Sequence, residues 1–416
     1  MSSHNGTTLK KMSYNGEKVK KWYHDDVKVY SAGGVVTYYV DDGVIYQEEV
    51  DSEASCLSPK TFTPLKSGWS FVGWREDTAA NGSVLTSKVM GDTPITLYAV
   101  FSAEVTVTYY NNSTSASSTK GARYYNNGNT VNPTFKLVQA SVSGWSARGW
   151  SGSAKGNADI LYNNNTDFTR GSDATIYGSY QKTVTLSYNG NGSTGGSTTS
   201  HSETAYRNYA GTVVKATFTL KANGFSRMDY TFNGWDLGAV GATVTLDGDK
   251  VAYAQWKQSS LTLFNGGTFY HDFSALTSHG DDNGLNYDEG QYANWNKNSG
   301  LYMGAYAYYY RISWVTTEKI DVTNLKTLNF TISGLTRSGS GGLWLMGLQD
   351  TRIVAEDWRG NTEKYKVGAS SSLTNGQTLS FDVSSLSGSY YVVIHICTEN
   401  ISTLCFTATK GWFDVK

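Results

Sequence analysis

The sequence predicts an all-β chain, built from tandem small β domains followed by a β-sandwich. Three observations carry that reading. Apolar and aromatic residues alternate with polar ones, which is the strand period, and long stretches with helical apolar spacing are missing. Asn-Gly occurs 11 times and Asp-Gly twice, dipeptides that suit turns needing positive φ and so punctuate strands. One pattern of strand, Gly-Trp centre and closing strand recurs three times between residues 35 and 257.

At 416 residues the chain is too long for one ordinary domain, and domain-size statistics suggest roughly three to five units. With 12 Trp, 30 Tyr and 15 Phe and only 17% charged residues, it has enough apolar material to fold. A formal net charge of -1 supplies no global field for nucleic acid or an anionic membrane. No run reaches the length of a transmembrane helix, so membrane insertion is not expected. The first residues, MSSHNGTTLKKMSYNGEKVKKWY, hold no apolar stretch of the secretory kind, so ordinary export is not expected either. Cys56, Cys397 and Cys405 make no disulfide framework. Cys397 and Cys405 flank an expected hairpin and could face each other, but all three read better as small buried apolar side chains.

Residues 1–31 form a Lys-rich unit, with turn tips at Tyr14-Asn15-Gly16 and His24-Asp25-Asp26 between short strands. The repeats follow at 32–102, 103–181 and 182–257. The first opens with Val35-Val36-Thr37-Tyr38-Tyr39, continues to Gly68-Trp69-Ser70-Phe71-Val72-Gly73-Trp74 and closes with Leu97-Tyr98-Ala99-Val100-Phe101. The second runs from Val105-Thr106-Val107-Thr108-Tyr109-Tyr110 through Gly144-Trp145-Ser146-Ala147-Arg148-Gly149-Trp150 to Ile176-Tyr177-Gly178-Ser179-Tyr180. The third runs from Val184-Thr185-Leu186-Ser187-Tyr188-Asn189-Gly190 through Asp229-Tyr230-Thr231-Phe232-Asn233-Gly234-Trp235 to Val251-Ala252-Tyr253-Ala254-Gln255-Trp256. The steps from Phe101 to Val105 and from Tyr180 to Val184 are equally short, which favours a stiff rod over a flexible string. Trp74, Trp150 and Trp235 are expected in the cores, with the preceding Gly leaving room for the ring.

These motifs resemble the internalin B-repeat family, also called the Listeria–Bacteroides repeat. The resemblance covers residues 35–257, is strongest in the third repeat and weakest at Gly178-Ser179-Tyr180. It implies a β-grasp-like fold and a place in extracellular or virion-surface stalks, and it carries no catalytic residues. The start, YNGEKVKKWYHDDVKVYSA, resembles that of tail and appendage proteins from phages of Gram-positive hosts, with Asp25-Asp26 where Asn-Gly is usual.

Residues 258–416 have another grammar. Strands are expected at Tyr306–Val315, Thr327–Ile332, Gly342–Gln349, Thr378–Val383, Tyr390–Cys397, Leu404–Ala408 and Trp412–Val415, spacing that suits a jelly-roll sandwich. The phrases from Lys319 to Leu328 and from Phe381 to Tyr391 resemble carbohydrate-binding-module-like sandwiches of bacterial and phage surface proteins.

Nucleophile elbows, phosphate loops and Cys/His zinc spacings are missing, so no catalytic residue, metal or cofactor is assigned and the chain is expected not to be an enzyme. His271 and His279 near Asp272, Asp281 and Asp282 read as turn residues before metal ligands. Asp281-Asp282-Asn283-Gly284 with Asp288-Glu289 is oxygen-rich enough for calcium but lacks the EF-hand pattern. Alternation along the last domain's aromatic run puts Tyr302, Tyr306, Tyr308, Tyr310 and Trp314 on one face and Tyr309 and Arg311 on the other, the face reading as core. Loop aromatics are the better ligand candidates, since sugar rings stack on aromatics while polar groups fix their orientation. Tyr287, Tyr292, Trp295 and Trp358 are those candidates, with Asp350 and Arg352 to add hydrogen bonds. The expectation is a phage tail appendage, assembled in the host cytoplasm. It would bind host cell-surface glycan through residues 258–416 and dock to other virion tail proteins through residues 1–31. A bacterial surface adhesin and a glycan-cleaving tail enzyme are the alternatives. A homotrimer stays open, because no heptad segment enforces one.

Overall fold

The structure is a computed structural model. It describes residues 13–14, 17–18, 21–24, 27–31, 33–40, 43, 45–59, 62–91, 93–279, 293–306, 310–339, 342–352, 363–367, 373–398 and 403–416. The described chain is all-β. It divides into two compact units: Met1–Thr185 with Ser202–Phe218 and Thr245–Asp249, and Leu186–His201 with Thr219–Val244 and Lys250–Lys416.

In the first unit, two short hairpins come first, Ser13–Tyr14 with Glu17–Lys18 and Lys21–His24 with Val27–Ser31. The first repeat then builds a mixed sheet. Its opening strand Gly34–Tyr39 pairs antiparallel with Ile45–Val50 and parallel with the start of Ile95–Tyr110. Ser70–Arg75 adds antiparallel to the middle of Ile95–Tyr110. The order, with first and last strands side by side at the centre, is that of a β-grasp with no helix across it. Alternation puts Val36, Tyr38, Leu97, Ala99 and Phe101 on the covered face around Trp74, which is 1% exposed.

The strand Ile95–Tyr110 does not stop at the end of the first repeat. Its first half closes that repeat, and its second half opens the next, pairing parallel with Ala174–Tyr177. The hairpin strand Ala116–Asn126 lies along it from Tyr110 back to Val100. That places Tyr125, a second-repeat residue, in the first repeat's core. Beside it, Asn126 Nδ2 donates to the carbonyls of Asp77 and Ala79, at 3.0 and 2.9 Å. The same latch recurs where Asn208 Nδ2 donates to the Ala154 carbonyl at 3.0 Å.

The three signature tryptophans share one environment. Trp74, Trp150 and Trp235 are 1%, 0% and 3% exposed. Each indole N–H donates to a backbone carbonyl, of Leu57 at 3.1 Å, Leu137 at 3.4 Å and Lys221 at 2.9 Å. Each ring also packs on the tyrosine of its opening strand: Tyr38, Tyr109 and Tyr188. The buried N–H is thus satisfied, which is what permits so large a ring in so small a core.

The glycine before each tryptophan also has a backbone role. In all three repeats the ladder shifts register at this point, between Phe71 and Gly73, Ala147 and Gly149, and Phe232 and Trp235. Gly149 has φ 135°, and a Cβ there would lie 2.6 Å from the Tyr162 carbonyl oxygen. The glycine therefore sits at a β-bulge in each repeat, with a close backbone approach at Gly149 and a close Val84 side chain at Gly73.

In the second unit, Leu186–Asn189 pairs parallel with Lys250–Tyr253, and Tyr230–Trp235 pairs antiparallel with the later part of Lys250–Gln258. The sandwich follows at Ser260. In one sheet the long strand Thr403–Val415 takes Ser260–Asn265 and Leu301–Tyr306 along one side and Leu325–Ser338 along the other. Thr268–Phe269, Ala293–Asn296 and Thr378–Asp382 complete that sheet. The other sheet runs Phe273–His279, Tyr310–Thr316, Ser389–Thr398, Gly342–Gln349, Glu363–Val367, with Ile320–Asp321 beside Ser389–Thr398. Phe264, Phe330, Phe406, Phe413, Ile312 and Ile394 fill the space between.

Two strand expectations change. The run Tyr306–Val315 is broken, because Leu301–Tyr306 and Tyr310–Thr316 belong to different sheets. Leu404–Ala408 and Trp412–Val415 are one strand, passing through Gly411, where a Cβ would meet Phe264 and Phe330 side chains at 2.5 and 2.8 Å. The three cysteines are free and buried, and Cys397 and Cys405 lie in opposite sheets rather than across a hairpin.

Asp229 fastens the first strand of the sandwich to the third repeat. Asp229 Oδ1 accepts from the Ser260 and Thr262 hydroxyls at 2.9 and 2.6 Å, and Oδ2 accepts from the Thr262 amide at 3.0 Å. Its carbonyl accepts from the Ser259 and Ser260 amides. Asp229 has φ 65°, and the matching positions Gly68 and Gly144 have φ 75° and 73°. The turn needs a left-handed residue, and in the repeat that meets the sandwich glycine gives way to aspartate, among the non-glycine residues that best tolerate that region.

Candidate functional site

Of the six residues singled out for ligand binding, Tyr287, Tyr292 and Trp358 lie outside the described residues, as do Asp281, Asp282, Asp288 and Glu289. The other three are placed. Asp350 and Arg352 are exposed, just past the end of Gly342–Gln349. Trp295 is on a strand, not a loop. It sits in Ala293–Asn296 opposite Met303, half-buried against the sandwich core.

Arg352 lies near a polar pair, Asp272 and Lys297, and Asp350 is exposed two residues before it. The Lys297 ammonium, 2.5 Å from Asp272 Oδ1, holds that carboxyl below its ordinary range, and Arg352 adds to the same field. Lys297 lies 5.3 Å from the Phe269 ring centroid and 5.8 Å from that of Trp314. Next to Asp272, burial pushes the His271 imidazole down, so its neutral form is favoured. These residues offer one guanidinium, one ammonium and one carboxylate, with the half-buried Trp295 indole two residues from Lys297. That set can hold hydroxyls and carry the face of a sugar ring. Among the described residues no group of three or more His, Cys, Asp or Glu is arranged to hold a metal ion. Asp272, one of the residues weighed for such a site, is occupied by Lys297.

The expected aromatic face does not form as one surface, since its residues divide between the sheets. The Tyr302 and Tyr306 hydroxyls are 3.0 Å apart on one strand, while Tyr310 and Trp314 are buried on a strand of the other sheet. Tyr308 and Tyr309 lie outside the described residues. The Trp314 N–H crosses between sheets to the Tyr302 carbonyl at 2.9 Å, so this ring is structural.

Because Trp295 packs on the core, Trp295→Ala is expected to lower stability by about 2–3 kcal/mol through the cavity it leaves. Thermal unfolding monitored by circular dichroism would register the loss, and an unchanged melting temperature would free the ring for a purely surface role.

A second surface was not foreseen. The aromatic after each left-handed turn residue, Trp69, Trp145 or Tyr230, is half-buried and carries a cation over its ring. The partners are Arg123 at 4.5 Å, Lys182 at 4.7 Å and Arg227 at 4.0 Å. At Trp69 the surface is hollowed into an open groove of about 600 Å³. The sequence signal of this second surface is the Gly-Trp-Ser shared by the first two repeats, Gly68-Trp69-Ser70 and Gly144-Trp145-Ser146.

Residues 35–100 match the family model of the Listeria-Bacteroides repeat domain. This is the first repeat, from its opening strand to Val100, and it is a domain often found in surface proteins. The second and third repeats share its bulge, its indole-to-carbonyl bond and its parallel pairing of opening and closing strands. No curated protein matches the chain.

Proposed function

We propose that this chain is a non-enzymatic, surface-binding appendage, a phage tail protein. Its repeats present the sandwich of residues 258–416 to host cell-surface glycan, and residues 1–31 dock to other virion tail proteins. The observation that carries the reading is the attachment of the sandwich: Asp229 ties its first strand directly to a repeat, while Asp350 and Arg352 are exposed to solvent. A rigidly held domain loses less freedom on binding than a tethered one, which suits presentation.

Fluorescently labelled full-length protein should stain host cells, and Arg352→Ala should weaken staining about tenfold, the value of one charge-assisted hydrogen bond. The melting temperature should stay put, because Arg352 is exposed. Equal staining by the variant removes Arg352 from the site. Release of new reducing ends from host wall or capsular polysaccharide would replace the binding reading with a glycan-cleaving one.

A further inference from the structure

We propose that the groove at Trp69 is a second ligand site, a saccharide-binding surface in the first unit, separate from the sandwich. Trp69, Ser70, Ser102, Glu104 and Lys120 line it, with Ala103 on its wall. At about 600 Å³ it is within the size range of ligand sites, and its open form suits a chain laid across the surface rather than an enclosed small molecule.

The chemistry selects a sugar. One indole provides a flat apolar face for pyranose C–H groups. Glu104 and Lys120 pair at 2.7 Å with both side chains more than half exposed, so each keeps donors or acceptors for hydroxyls. The Ser70 and Ser102 hydroxyls add shorter-range partners. Lys120 is paired with the Glu104 carboxylate, and Arg123 is turned onto the Trp69 ring and the Gly171 carbonyl, so a neutral or weakly charged saccharide fits the groove better than a nucleic acid.

The platform is held in place before any ligand arrives. The Arg123 guanidinium lies 4.5 Å from the Trp69 ring centroid and donates through Nη1 to the Gly171 carbonyl at 2.8 Å. The Tyr125 ring, buried in the first core, sits 5.9 Å from the indole. A ring fixed in this way loses little freedom on binding.

The other repeats fill the matching place differently. Ser70 pairs with Ser102 and Ser146 pairs with Gln181, so Ala103 and Lys182 occupy matching places. Lys182 puts its ammonium over the Trp145 ring, whereas the cation over Trp69, Arg123, comes from the hairpin strand Ala116–Asn126 and Ala103 adds no long side chain at the matching place. In the third repeat, Asp229 beside Tyr230 holds Ser259 and Ser260 of the sandwich. The first repeat alone combines the tryptophan with a small residue at this place.

Saturation-transfer NMR of the full chain with cellotetraose, maltotetraose and chitotetraose tests the site. Transfer to ring C–H protons of at least one tetrasaccharide is expected. It should fall at least fivefold in Ala103→Lys and remain in Arg352→Ala. No transfer from any of the three sugars overturns the proposal. So does undiminished transfer in Ala103→Lys at an unchanged melting temperature. Transfer lost in Arg352→Ala but kept in Ala103→Lys would place sugar binding in the sandwich and equally overturn this site. If Ala103→Lys lowers the melting temperature, Lys120→Ala at the exposed pair decides by the same readout.

Discussion

Trp150→Ala is expected to remove about 3–5 kcal/mol of stability, enough to unfold most small β domains. The ring is 0% exposed, touches Tyr109 edge-on at 5.6 Å and donates to the Leu137 carbonyl. Few other large side chains are available to close over the hole, because the second repeat's core is a short roster: Val105, Val107, Phe135, Leu137, Phe168 and Ile176 beside the tryptophan. Trp150→Phe keeps most of the packing and removes one of the two donors to the Leu137 carbonyl, the Asn165 amide remaining at 3.0 Å, and should cost about 1 kcal/mol. Urea unfolding followed by near-ultraviolet circular dichroism measures both. A Trp150→Ala protein as stable as the parent would show that the repeat does not depend on its signature residue.

The second large effect is at Asp229. Asp229→Gly should uncouple the sandwich from the third repeat. Three side-chain hydrogen bonds disappear, and relief of the left-handed backbone returns about 1 kcal/mol, for a net loss of about 2 kcal/mol. Hydrogen exchange at the Thr262 amide is the direct readout, since that N–H donates to Oδ2, and it should exchange at least tenfold faster. Asp229→Asn retains both the turn preference and one acceptor, so it should fall between. Unaltered exchange in Asp229→Gly would mean that the strand Ser260–Asn265 is held by its sheet partners without help from Asp229.

Much of the architecture could be read from alternation. The buried faces of the repeats follow Val36 and Tyr38, Val105 and Val107, and Val184 and Leu186 as the pattern dictates. The fusion of repeats inside a strand was also legible, though it was read as a short linker. Leu97, Ala99, Phe101, Val105 and Val107 all share one parity, as do Ile176, Tyr180, Val184 and Leu186, so the pleat runs on without a break. At the third repeat the parity changes, from Ala252 and Ala254 to Leu261 and Leu263, and there two separate strands form. The bulge at each Gly-Trp was harder to see, because glycine beside a large ring suggests space before it suggests positive φ. The sandwich was the least legible part. Tyr302 to Trp314 alternates as though it were one strand, and only the long-range pairing with Thr403–Val415 and Ser389–Thr398 divides it. The site suffered in the same way. Trp295 is flanked by asparagines that read as a loop, yet the strand opposite Met303 turns it inward.

The strand Ile95–Tyr110 has a mechanical consequence. Tension reaching the end of the first repeat would find no hinge there to extend. It would act along a strand bonded on both sides, to Gly34–Tyr39 and Ser70–Arg75 and then to Ala116–Asn126. Such a load shears many hydrogen bonds at once instead of opening them one by one. With Tyr125 of the second repeat lodged in the first core, the two cannot yield in sequence like beads on a thread. They would resist as one body and give way together.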